Sequence, residues 1–97
     1  MSINVILEVQ SKPETIEELK STFEAILPDT RSYDGCISVE VIINQDDPLN
    51  VILLEVWETR EHQEKYIQWR AETGALEALG AMLSQPASIR HFDSTSI

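Results

Sequence analysis

An α+β fold of order β-α-β-β-α-β, with a four-stranded antiparallel sheet and its helices on one face, is predicted by three features of the sequence. Residues 3–10 and 51–57 alternate as strands do. Residues 16–27 and 60–83 carry apolar side chains at helical spacing. Between them, two strand patterns follow one another across a short polar break, which implies an antiparallel hairpin.

The first strand, INVILEVQ, puts Ile3, Val5, Leu7 and Val9 on one face and Asn4, Ile6, Glu8 and Gln10 on the other. Ser11 and Glu14 have capping-box spacing, Pro13 stands where a first helical turn tolerates it, and Glu14, Glu17 and Glu18 complement the helix dipole. A helix is expected to begin there, with Ile16, Leu19, Phe23, Ile26 and Leu27 as its buried stripe. Pro28 either kinks that helix or restarts it as a short second turn. Asp34-Gly35 marks a turn into the strand CISVEVIIN, and Gln45 to Asn50 form the next break.

The strand VILLEVW places Val51, Leu53, Glu55 and Trp57 on one face and Ile52, Leu54 and Val56 on the other, so neither face is polar. Thr59 is a suitable N-cap for a helix over residues 60–71, in which His62, Tyr66 and Trp69 share a face. Thr73 and Gly74 interrupt it, and Leu76, Leu79 and Leu83 continue the stripe. A last strand over residues 87–93 sets Ile89 and His91 on one side. This is the ferredoxin-like split βαβ pattern in a single domain, residues 1–97. Two helices cover one sheet face, yet Ile42, Ile43 and the pairs Val51/Ile52 and Leu53/Leu54 place aliphatic residues on the other face too. A second copy of the chain is expected to cover it, with Leu53 and Ile42 at the seam.

Charge narrows the partners. Seventeen acidic residues against seven scattered basic ones give a formal net charge of -10, which suits neither nucleic acid nor an anionic membrane. No apolar run reaches the 18 or so residues of a membrane span, and the first ten residues lack the basic region of an export signal. With one cysteine, Cys36, no internal disulfide is possible, and a cytoplasmic location is expected. Cys36 has no base beside it in sequence and reads as a small apolar residue. The two histidines, His62 and His91, have no ligands at metal-binding spacing, so no metal is expected, and no Gly-rich loop is present to hold a phosphate.

With the strand order in place, the chain resembles the antibiotic biosynthesis monooxygenase (ABM) family of dimeric α+β barrels. The resemblance spans nearly the whole chain. It rests on Gly35-Cys36 after the first helix, Pro48 before the third strand, the strand ending Glu55-x-Trp57-x-Thr59, and Glu61 at the start of the next helix. It implies two subunits packed sheet to sheet. It also implies, in each, a cavity between sheet and helices for a small aromatic or quinol-like substrate, oxygenated without metal, flavin or haem. Four places depart from the pattern. Many members carry His nine residues after the Trp and a second His about five further on, where this chain has Tyr66 and then Trp69-Arg70-Ala71. Many carry Tyr three residues after the Cys, here Val39, and one has Asn four residues before the Trp, here Leu53.

Oxygenation without a cofactor needs an electron-rich, usually deprotonated substrate in a dry pocket, and hence a base or hydrogen-bond partners. Glu55, Tyr66 and His62 are the candidates for proton handling. Trp57, Trp69 and Arg70 are those for substrate binding, Arg70 through an anionic group. Glu55 on a mostly apolar strand should have its pKa raised by burial. The alternatives are that Trp57 is core, that Tyr66 merely packs the helix, or that the protein is a small-molecule-binding or stress-response module without turnover.

Overall fold

The computed structural model describes residues 2–97. In chain order the elements are β1 (Ile3–Gln10), a 3₁₀ turn (Pro13–Thr15), α1 (Ile16–Ser32), β2 (Cys36–Ile43), β3 (Asn50–Trp57), α2 (Arg60–Glu72), α3 (Ala75–Ala81) and β4 (Ser88–Asp93). The sheet runs β2-β3-β1-β4 with every pair antiparallel. The two central strands are therefore those with the most apolar sequences.

The register fixes which residues meet the helices. Glu55 stands opposite Val5 on one side and Val39 on the other, so Val51, Leu53, Glu55 and Trp57 join Val5, Leu7 and Val9 in one buried layer. Leu19, Phe23 and Leu27 of α1 close on that layer together with Met82 and Leu83. A second cluster, Val5, Trp57 and Tyr66, gathers under α2 with Tyr33 and Trp69 against it. Leu53, expected at a subunit seam, is 2% exposed and faces the helices. A strand's period of two allows nothing else once Val51 and Trp57 point inward. The uncovered face is instead formed by Ile6, Ile42, Ile52, Leu54, Val56 and Phe92, interspersed with Asn4, Glu8, Ser38, Glu40 and Arg90.

Two helix boundaries differ in mechanism from the sequence expectation. Ser11 does not cap α1: its N–H donates to Leu49 O at 2.8 Å and its hydroxyl to Lys12 O at 2.8 Å, because the chain at Ser11 still belongs to the sheet edge, where it bridges to Leu83. The 3₁₀ turn intervenes, and Thr15 donates to Met82 O at 2.7 Å. Pro28 neither ends α1 nor starts a new helix. Its missing N–H would have met the carbonyl of Glu24, and both residues lie on the solvent side, where that carbonyl is open to water. The buried stripe therefore runs on past Pro28 to Thr30.

Elsewhere the local signals hold. Thr59 accepts from the N–H of His62 at 3.1 Å and caps α2. Gly74, at φ 82, breaks the helical stretch into α2 and α3. Gly35, at φ 88, turns the chain into β2, and a Cβ there would collide with the His62 ring. Both glycines are left-handed, but only Gly35 is also hemmed in. Replacement of Gly74 by Ala should cost about 1 kcal/mol of backbone strain, and Gly35→Ala about 2–5 kcal/mol from strain and overpacking together. Urea unfolding of the two variants measures the difference, and His62→Ala in the Gly35→Ala background should recover part of it.

Candidate active site

Between the helices and the sheet lies a cavity of about 230 Å³. Leu7 and Leu53 form its floor, Phe23, Ile26 and Leu27 of α1 one wall, and Ala75, Leu76, Ala78 and Leu79 of α3 the other. Polar groups reach it from few positions: Thr22 and Thr30 of α1, Glu55 of β3, and Tyr66 and Arg70 of α2. Of the six residues singled out from sequence, Glu55, Tyr66 and Arg70 are thus brought together, and Trp57, Trp69 and His62 lie outside the lining.

Glu55 is 5% exposed. Because residues two apart on a strand share a face, the Trp57 indole lies beside it and donates from Nε1 to Glu55 Oε1 at 2.8 Å. Burial raises the carboxyl pKa, and the Trp57 hydrogen bond only partly offsets that. Trp57 itself is fully buried, with its ring 5.2 Å from that of Tyr66 and 6.4 Å from that of Tyr33. It does not line the pocket as expected; as core, it orients the carboxylate.

Arg70 is 7% exposed. Its Nε donates to the Tyr66 hydroxyl at 2.8 Å and its Nη2 to Thr30 Oγ1 at 3.2 Å and to Ile26 O at 3.1 Å. Tyr66 and Thr30 are themselves joined at 2.6 Å. The guanidinium lies 4.6 Å from the Trp69 ring, and Trp69 stacks on Tyr33 at 5.3 Å. Trp69 therefore backs Arg70 instead of forming an aromatic wall for a ligand. Tyr66 is committed to this network and positions the guanidinium.

His62 is not a cavity residue. Its ring sits over Gly35, with Nδ1 2.6 Å from Thr59 Oγ1 and Nε2 3.8 Å from Asp34 Oδ2. The buried stripe of α2 is Gln63, Tyr66 and Arg70, one residue out of phase with the expected His62 and Trp69. Gln63, 2% exposed, meets His91 Nε2 at 2.7 Å, and burial lowers the His91 pKa. The turn also gathers Asp34, Glu58 and His62, whose ligand atoms lie within 4.8 Å of one another. These three could hold a cation, a grouping that residue spacing concealed, although Asp34 and Glu58 are exposed and apart from the cavity. Cys36 is half-buried, and burial, then the Glu55 charge, push its thiol pKa up, which makes it a poor nucleophile. No helix among the described residues is long and apolar enough to cross a membrane.

The family model for antibiotic biosynthesis monooxygenases matches residues 2–83. The chain belongs to the ABM family. Comparison with curated proteins finds no match. Among solved structures, a conserved protein from Methanosarcina mazei Go1 is 21% identical, with 98% of this chain and 94% of that one covered at a TM-score of 0.89. An antibiotic biosynthesis monooxygenase is 20% identical over 96% of this chain and 98% of its own, at 0.86. SnoaB, a cofactor-independent oxygenase from Streptomyces nogalater, solved as a variant, is 11% identical over 99% of this chain and 95% of its own, at 0.83. At these identities the structures share the ABM fold with this chain.

The raised pKa of Glu55 has a consequence for stability. A carboxyl that binds its proton more tightly in the folded chain stabilises fully below its ordinary value of 4.5, and that contribution is lost as pH rises through the folded-state value. Glu55→Gln keeps an acceptor for Trp57 and removes the ionisation. Its unfolding free energy should decline less between pH 4.5 and pH 7 than that of the unaltered protein, as measured by urea titration at several pH values.

Proposed function

We propose that this ABM-family protein is a monooxygenase that uses molecular oxygen directly, without cofactor, on a small phenolic or quinol-like compound. The observation that carries this reading is one buried carboxylate, raised in proton affinity and held by Trp57, opening on a mostly apolar cavity. A volume of about 230 Å³ lies below the roughly 300–1,000 Å³ of drug-sized sites, which favours substrates of one or two rings.

In this scheme Glu55 takes the proton of a ring hydroxyl. The phenolate passes one electron to oxygen, and the radical pair combines at a ring carbon to form a peroxide. The peroxide is protonated; the ring carbon then loses its hydrogen as a proton, and the O–O bond breaks to release water. A phenol and O₂ thus become a quinone and H₂O, with both oxygen atoms and all four electrons accounted for. The apolar lining excludes the water that would otherwise solvate and stabilise the phenolate. Uptake of oxygen with a panel of hydroquinones tests the reading: it should exceed the buffer rate and fall about 10²–10⁴-fold in Glu55→Gln. Uptake no faster than buffer, or indifferent to that change, would defeat it. Ligand binding without uptake would support the non-catalytic binding module.

The working unit in this reading is a homodimer packed sheet to sheet. Its support is the uncovered sheet face, where Ile42 and Phe92 are 38% and 41% exposed beside the half-buried Ile6, Ile52, Leu54 and Val56. The face also holds a depression of about 480 Å³ lined by Asn4, Ile6, Ser38, Glu40, Leu54, Val56 and Phe92. Leu54→Asp and Ile42→Asp should give folded monomers by analytical ultracentrifugation, whereas Leu53→Asp should unfold the chain. An unchanged dimer in both of the first two variants would show the face to be wrongly assigned.

A further inference from the structure

Arg70 is a buried cation whose hydrogen bonds all run to neutral groups: the hydroxyls of Tyr66 and Thr30 and the carbonyl of Ile26. Among the described residues no carboxylate lies within 4.0 Å of it, although the chain has 17 acidic side chains. Burying a charge without a counter-ion is costly, so its absence in so acidic a protein calls for an explanation. Glu55 opens on the same cavity but makes no ion pair with Arg70; its carboxyl is held by Trp57. The Nε and Nη2 edge is consumed by Tyr66, Thr30 and Ile26, which hold the guanidinium plane against Trp69. The Nη1 N–H groups make no hydrogen bond to the described residues, and no fully buried side-chain polar atom lacks a partner, so Nη1 is not fully buried; it is the free donor of a residue that lines the cavity.

We propose that Arg70 is the oxyanion seat of this cavity, and that its ligands bind as monoanions, with an ionised phenolic or enolic oxygen accepting from Nη1. The bound oxygen supplies the missing counter-charge in a low-dielectric site, where a charge-assisted hydrogen bond is stronger than in water. Acidic phenols and enols of one or two rings are therefore selected, and their O-methyl ethers, which cannot ionise, are rejected. The inference rests on the reading of this cavity as the substrate site and is independent of its oxygen chemistry. Tyr66 and Thr30 are positioning residues in it, since they act through the guanidinium.

The probe is 4-nitrophenol, which is too electron-poor to be oxidised by O₂ and whose phenolate is read by its visible absorption. Titrated with pH in the presence of saturating protein, its ionisation midpoint should fall by about one unit or more, equivalent to phenolate binding roughly tenfold tighter than phenol. 4-Nitroanisole should not compete. Arg70→Met should abolish the shift and Arg70→Lys should restore part of it. Circular dichroism shows whether the variants fold, and the comparison of nitrophenol with nitroanisole on the unaltered protein stands without them. An unshifted or raised midpoint, or competition by the ether as strong as by the phenol, would overturn the proposal. A lowered midpoint without oxygen uptake on hydroquinones would retain the anion seat and remove the oxygenase; uptake with an unshifted midpoint would do the reverse.

Discussion

The contact between α1 and α2 at Arg70, Tyr66, Thr30 and the Ile26 carbonyl is the constraint on which the interior depends. A chain of 97 residues has little core to spare, and two helices on one sheet would ordinarily settle until their side chains met. Here the meeting point is polar and directional: three hydrogen bonds of 2.6–3.2 Å tie α2 to α1 near their ends, and a fourth, from Arg70 to Tyr66 within α2, braces them. Beyond that point α3 offers Ala75 and Ala78 where larger side chains would have filled the gap. The cavity is what remains between that polar joint and an α3 wall in which alanines alternate with leucines.

The same joint gives the cavity an electrical direction. A cation is fixed on the α2 side and a carboxyl on the β3 floor, each held by its own partners, the guanidinium by Tyr66 and Thr30 and the carboxyl by Trp57. Had they been paired, each would have neutralised the other and the site would have been inert to a ligand's charge. Separate tethers leave both available in a cavity whose lining is mostly apolar, where charges are weakly screened.

Most of the architecture could be read from periodicity, because the strands alternate cleanly and the breaks carry local chemistry: Asp34-Gly35, Thr59 and Gly74 each end or begin an element for the reason their side chains suggest. Glu55 and Arg70 were legible as candidates, one as a carboxylate on an apolar strand and the other as part of the departure from the ABM pattern. What sequence hid was of three kinds. Register on a strand with two apolar faces is ambiguous until neighbours are known, which misplaced Leu53. Phase on a polar helix is weakly marked, and the stripe of α2 is Gln63, Tyr66 and Arg70 because their hydrogen bonds, not their hydrophobicity, bury them. Thr30 was missed because Pro28 suggested that the stripe had ended; its spacing from Phe23 and Leu27 was the available signal.

An apolar space left open in so small a domain also ties stability to occupancy. Side chains that border a void lose contacts on one side, so the unliganded fold forgoes stabilisation that an occupant supplies on entry. By mass action a ligand present at a hundred times its dissociation constant adds about 2.7 kcal/mol to the unfolding free energy, a large fraction of the stability of any protein near this size. For this cavity the melting temperature is therefore a reporter of recognition, and a compound that fits between Glu55 and Arg70 announces itself by heat resistance before any chemistry is known.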